Sequence, residues 1–206
     1  MSANSNDIIT ASRTGNNRVV KQHIKNGADI HQQNDAAIMW AASMGHYHTT
    51  RTLLRAGANP NARPETITIP AAYGYSAIVE LLMLYGADHQ VNDNEPLLQA
   101  VRHNNTSTVE VLLQHGAIPT TVALEIACLC GNTTATAALL QAGANPFDNH
   151  SAPLRRAVEG GFTEIVKLLL ATKLIDTEIV NQNIDIALHL RNWEMMYTLQ
   201  SHNILK

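Results

Sequence analysis

The 206-residue sequence predicts an all-α protein, a solenoid of about seven helix-turn-helix units joined by short loops. Three observations carry that prediction. Ten of the eleven glycines fall on two positions of one recurring unit; each unit holds two apolar segments at helical spacing; and aromatic residues make up only 4% of a chain that is 45% hydrophobic, with Ala and Leu abundant. Such a composition suits closely packed helices better than a sheet built on bulky side chains.

The period is read from the glycines. Gly27, Gly57, Gly86, Gly116 and Gly143 each begin a Gly-Ala, and Gly15, Gly45, Gly74, Gly131 and Gly161 belong to a second set placed twelve residues ahead; only Gly160 falls outside. With Asn104 and Arg191 filling two vacant places, the register positions are 15, 45, 74, 104, 131, 161 and 191, at steps of 30, 29, 30, 27, 30 and 30. A fixed period on this scale marks units that cannot bury their apolar faces alone and must stack. The expected units cover about 5–33, 34–63, 64–92, 93–119, 120–149, 150–179 and 180–206, within a single domain spanning 1–206.

The elements follow in chain order. Helix one of each unit holds a small residue four places before the register position: Ala11, Ala41, Ala100, Ala127, Ala157 or Ala187. Alanine there lets a neighbouring helix approach, and the register glycine then breaks the helix. Helix two is a segment such as "SAIVELLML" (76–84), "TSTVEVLLQ" (106–114) or "TEIVKLLLA" (163–171), apolar at helical spacing, with Ser76, Thr106 and Thr163 expected as N-caps. The second glycine ends it as a left-handed C-cap, and the following alanine packs back on the pair. At the two ends the Leu-Leu pattern is diluted by Gln22 and His23 and by Thr198 and Gln200, as outer faces meeting water require. The first and last units therefore read as caps of a complete array.

These segments resemble the ankyrin repeat. Its "TPLHxAAxxGH" pattern is matched by "DAAIMWAASMGH" (35–46), "EPLLQAVRHNN" (95–105) and "APLRRAVEGGF" (152–162), and its "VVxLLLxxGA" pattern by "AIVELLMLYGA" (77–87), "TVEVLLQHGA" (108–117) and "EIVKLLLATKL" (164–174). The resemblance covers nearly the whole chain. Ankyrin units usually run about 33 residues, and here the missing ones fall between Gly-Ala and the next helix one, where the family forms a projecting hairpin. The units are similar to the short-loop repeats of giant viruses and intracellular bacteria, which implies binding by something other than hairpin tips. No histidine fills the TPLH place. In the third unit Pro70 lies inside the expected helix one and is expected to bend or shorten it. The short fifth unit and its "GAIPTTVAL" linker are expected to draw units four and five together.

Charge and cysteine content narrow the function. Fourteen basic and seventeen acidic residues give a net charge of −3, with no broad positive field for nucleic acid. No signal-like N-terminus and no membrane-length apolar run is present, so the expected location is cytoplasmic, and the two cysteines cannot form a disulfide framework. His46 and His48 are two residues apart, on different sides of a helix, and Cys128 and Cys130 lack zinc or redox spacing. No phosphate loop, nucleophile elbow or paired carboxylate occurs. The expectation is a protein that is no enzyme and holds no metal or cofactor, with an enzyme or metal protein using scattered histidines as the remote alternative.

Surface recognition remains. Stacked repeats present a concave side lined by helix-one residues. The resemblance implies solvent exposure just before the register position, at Arg13, Thr14, Ser43, Met44, Tyr73, Arg102, His103, Leu129, Cys130 and Glu159, and half exposure at Trp40, Gln99 and Arg156. Aromatic, Met and Arg side chains dominate interface energetics. The expected protein-binding set is Trp40, Ser43, Met44, Tyr73, Gln99, Arg102, His103, Arg156 and Glu159, although Trp40 equally suits a gap between units and the arginines a solvated surface. Leu129 and Cys130 are expected to pack on the fifth-unit loop. Trp193, Met195, Met196 and Tyr197 are assigned to closing the last helix pair, with homo-oligomerisation as the rival and a monomer preferred. The partner is expected to be another protein, with a host-cell protein and an effector or inhibitor role implied by the resemblance. A regulatory or scaffolding subunit of a separately encoded enzyme is the alternative.

Overall fold

In the computed structural model, which describes residues 5–146, 148–172 and 176–204, fourteen helices and no strand are found among the described residues. They form two compact units, 1–117 and 118–206, whose boundary falls inside the short fifth-unit linker. The first unit contains α1 (Ser5–Arg13), α2 (Asn17–Lys25), α3 (Gln32–Ser43), α4 (Tyr47–Arg55), α5 (Glu65–Ala72), α6 (Ser76–Leu84), α7 (Val91–Arg102) and α8 (Thr106–Gln114). Each odd-numbered helix pairs with the even-numbered helix after it. Odd helices also pack side by side in order, as do even ones. The second unit repeats this with α9 (Thr121–Leu129), α10 (Thr133–Gln141), α11 (Asp148–Glu159), α12 (Thr163–Ala171), α13 (Thr177–His189) and α14 (Trp193–Ile204).

Both glycine sets do what the register requires. All ten have positive φ, and Asn104 and Arg191, which fill the vacant places, share it at 57° and 55°. In all seven units the amide after the register residue donates to the carbonyl five positions earlier, as Asn16 does to Ala11 at 2.9 Å and Asn192 does to Ala187 at 2.9 Å. This is the six-to-one bond of a Schellman stop. The second glycines end helix two the same way, as in the Ala58 amide bonded to the Leu53 carbonyl at 3.0 Å.

The core is equally periodic. Eight residues past the register position stand Leu53, Leu82, Leu112, Leu139, Leu169 and Leu199, each fully buried, and each such side chain contributes roughly 1.5–3 kcal/mol. In the first unit of the repeat that place holds His23, only half-buried. Small residues Ala41, Ala100, Ala127, Ala157 and Ala187 are all fully buried where odd helices meet.

Three expectations are corrected. Ser76, Thr106 and Thr163 are the first helical residues, and the N-caps are Tyr75, Asn105 and Phe162, none with a side-chain capping bond. The residue after each register position is already held by the Schellman bond, so the helix starts directly behind it. Pro70 does not shorten α5, which runs unbroken over Glu65–Ala72 and matches the eight-residue right-handed parts of α3 (36–43) and α7 (95–102). It sits buried in the small-residue place, and its missing amide deprives only the Thr66 carbonyl, in the first turn. The linkers also hold more structure than loops. Gln33, Asn34 and Asp35, and again Asn92, Asp93 and Asn94, take left-handed φ of 51–65° directly before the right-handed part of α3 and α7.

Such turns are strained for L-residues, and Asn and Asp tolerate them best. The first is tied to the next linker. Asp35 Oδ1 accepts the Asn59 amide at 2.9 Å, Asn34 Nδ2 donates to the Ala62 carbonyl at 2.6 Å, and Arg63 Nε donates to the Asn34 carbonyl at 3.0 Å. Asn61 continues the ladder, donating to the Gly86 carbonyl and accepting the Asp88 amide, both at 2.7 Å. Side-chain bonds thus join linkers that are too short for hairpins.

Candidate protein-interaction surface

In the first unit, the C-terminal ends of α1, α3, α5 and α7 lie in sequence order along one row, because each ends two residues before its register residue. The row brings Arg13, Trp40, Met44, Tyr73, Arg102 and His103 onto successive helices. Trp40 is half-buried, and the Arg13 guanidinium lies over its ring at 5.9 Å from the centroid, a cation-π distance. Trp40 therefore both packs between helices and offers an edge to solvent. Met44 is 44% exposed and Tyr73 67%, a large apolar area left outside a well-filled core. Tyr73 stacks on Tyr75 with ring centroids 6.0 Å apart, which fixes the tyrosine without covering it. Arg102 and His103 are exposed, and neither enters an ion pair among the described residues.

Other expected members have different duties. Ser43 is buried, with its hydroxyl donating to Met39 Sδ at 3.7 Å, so it is not a surface contact. Gln99 is half-buried and donates to Glu95 one turn back on α7. In the second unit, Arg156 ties α11 to α9, its Nε donating to Glu125 Oε1 at 3.1 Å and its Nη1 to Glu159 Oε2 at 3.2 Å. Those bonds, to Glu125 first, hold its guanidinium above the usual range. Glu159 is exposed but shared between Arg156 and Arg155. Leu129, 56% exposed, and Cys130, also exposed, do not pack on the loop as expected: the register break turns both out of the helix pair. Cys128 is buried, and burial pushes its thiol up to about 12, against a hydrogen bond with Thr136 that lowers it.

The last helix splits its expected group. Met195 is fully buried with Leu199 and closes the pair, whereas Trp193 and Tyr197 are 57% and 66% exposed. Sequence reading also missed how the residue after each register glycine is used. His46 Nε2 lies 3.0 Å from the Arg13 carbonyl, and Asn105 Nδ2 donates to the Ala71 and Ala72 carbonyls at 3.0 and 2.7 Å. These side chains reach back across the preceding glycine and cap helix one of the unit before. A polar or aromatic residue directly after each register position was the available signal. Among the described residues no three His, Cys, Asp or Glu side chains converge on a point where a metal could sit, and no helix is long and apolar enough to cross a membrane.

Comparison with known proteins identifies the repeat family. A family model described as ankyrin repeats in three copies matches residues 8–93, 67–150 and 97–183. The chain is 38% identical over 180 residues to an ankyrin repeat and KH domain-containing protein, mask-1, of Caenorhabditis elegans; the match takes in 81% of the chain but spans only 6% of that protein. It is 36% identical over 93 residues to the cyclin-dependent kinase 4 inhibitor B of Mus musculus, covering 40% of the chain and 69% of the inhibitor. Among solved structures, an ankyrin repeat domain from Acinetobacter baumannii superposes with a TM-score of 0.71 at 27% identity, over 80% of the chain and 96% of that domain. The human ASB11 ankyrin repeat domain gives the same TM-score at 23% identity, over 83% and 85%.

Proposed function

Because the chain belongs to the ankyrin repeat family, we propose that it is a non-catalytic module that binds a partner protein on the ends of its first helices, α1, α3, α5 and α7. Ankyrin repeats generally mediate protein–protein interaction. The observation that supports this face is the exposure of Met44 and Tyr73 on adjacent helices, flanked by Trp40 with Arg13 on one side and by Arg102 and His103 on the other. An apolar centre with a cationic rim is the composition of an interface and would be a liability on an idle surface. The mechanism is occlusion or scaffolding: a rigid row of helix ends changes what the partner can touch. The resemblance of the short linkers to viral and bacterial repeats supports a partner in a host cell and an effector or inhibitor role.

A photo-crosslinking amino acid placed at position 73 tests the face, with the same group at position 110 on α8 as the control. A crosslinked partner from position 73 alone supports the reading; one from position 110 alone moves the site to the second helices.

A second reading has the chain regulating or positioning a separately encoded enzyme. It is favoured by the likeness to a protein named as a kinase inhibitor. Co-purification of a catalytic chain with the helix-one face buried would be its signature.

A further inference from the structure

A second surface stands out on the even-numbered helices of the first unit. In α2 and α4 the positions three, six and ten past the register residue carry Arg18, Lys21 and Lys25, and His48, Arg51 and Arg55; all six are exposed. The two helices hold no Asp or Glu. They pack side by side, so the six side chains form a grid of two columns. With a rise of about 1.5 Å per residue and helices about 8–10 Å apart, the grid is roughly 10 Å on each edge. Next in the row, α6 and α8 reverse the sign: at the sixth position they hold Glu80 and Glu110, each the only charged residue of its helix.

Among the described residues no ion pair accounts for the grid, and none of the five Lys and Arg side chains enters one. Lys25 and Arg55 complement the negative C-terminal ends of their helices, but Arg18 sits in the first turn of α2, against the macrodipole, where neither helix has an acid. Lys21 and Lys25, and Arg51 and Arg55, are like-charge pairs at i and i+4, which oppose helix formation. A chain of net charge −3 has thus gathered unneutralised cations on one small area at a cost to its own helices.

We propose that this grid is a second docking surface, whose occupant is a short acidic protein segment laid across α2 and α4. Three of the five fixed cations are arginines, whose forked donors match carboxylates in pairs. The reversal at Glu80 and Glu110 limits the occupant's length and sets its direction. A nucleic acid strand, with closely and evenly spaced phosphates, would run on from the cations into those carboxylates, within a Debye length of about 8–10 Å. A segment with carboxylates at one end only fits the row as it stands. The surface is separate from the helix-one ends and does not depend on the function proposed above.

The test uses the full chain and a fluorescein-labelled decapeptide of four glutamates followed by six glycine and serine residues, with binding read by anisotropy. Two charge-reversal variants are compared after circular dichroism shows both folded: Lys21→Glu with Arg51→Glu, and Arg155→Glu with Lys167→Glu, which changes net charge equally elsewhere. If the first pair disturbs folding, Lys21→Gln with Arg51→Gln replaces it. The expected result is binding at low salt that weakens by about 0.3 M salt, falls roughly tenfold in the first variant and is retained in the second. Equal loss in both variants, or none in the first, overturns the proposal. So does tighter grid-dependent binding of a single-stranded oligonucleotide of equal charge or of phosphatidylserine vesicles, which would reassign the surface to phosphate.

Discussion

The ring of His46 crosses Gly15, with Nε2 3.0 Å from the Arg13 carbonyl oxygen, so the second repeat unit caps helix one of the first through the residue behind its own register glycine. A Cβ on Gly15 would lie 2.5 Å from His46 Nδ1, on a backbone whose φ is +71°. Gly27 has a similar φ of +76° but open space around it. Gly15→Ala should therefore cost about 2–3 kcal/mol and Gly27→Ala about 1 kcal/mol, read from urea unfolding. Equal losses would assign the whole effect to backbone strain and none to the capping contact.

Asn105 performs the same task with two bonds, to the Ala71 and Ala72 carbonyls. Asn105→Ala leaves both acceptors without that donor and should lower stability by roughly 1–3 kcal/mol. Unchanged thermal unfolding would mean that water replaces the amide without loss.

Pro70 invites a stabilising change. A proline inside a helix costs about 3 kcal/mol, while replacing its buried ring by alanine gives up two methylene groups, at roughly 0.8 kcal/mol each. Pro70→Ala restores the donor for the Thr66 carbonyl and puts in place the residue that Ala41 and Ala100 supply in the flanking helices. A net gain of about 1 kcal/mol is expected in denaturant titration, and a loss would show that the ring's packing outweighs the missing bond.

The two cysteines should separate cleanly. Thiolate is the reactive form, Cys130 is exposed, and burial pushes Cys128 up to about 12. One thiol should react with a disulfide reagent in the native protein and two in denaturant. Because the folded value of Cys128 lies above the ordinary 9.0, its contribution to stability is intact below about pH 9 and is lost as pH rises toward 12. Two fast native thiols at neutral pH would contradict this.

Helix number, helix boundaries and core were legible because one period controls all three: the glycines mark where the chain must turn left-handed, and the leucine eight residues later marks what is buried. Pro70 misled because propensity weighs an isolated helix, whereas this proline is the sixth residue of an eight-residue helix held by its neighbours, where its missing amide concerns only the Thr66 carbonyl of the first turn. Ser43 was read as exposed from its place near the helix end, but buried hydroxyls cannot be told from surface ones without knowing which neighbour covers them. Arg156 looked available because its partner Glu125 is thirty-one residues away on another helix. The surface candidates on α3, α5 and α7 were legible as residue types; what the sequence could not supply was that Arg13 lies over Trp40 while Tyr73 stays uncovered.

The most direct test of the interaction account is affinity capture from cell lysate, quantified by mass spectrometry, with the wild-type chain and a Met44→Ala, Tyr73→Ala, Arg102→Glu variant. All three side chains are exposed, so the variant should keep its circular dichroism spectrum. The account predicts at least one protein enriched by the wild type and lost, roughly tenfold or more, by the variant. Capture of the same proteins in equal amounts by both would contradict recognition through the helix-one ends.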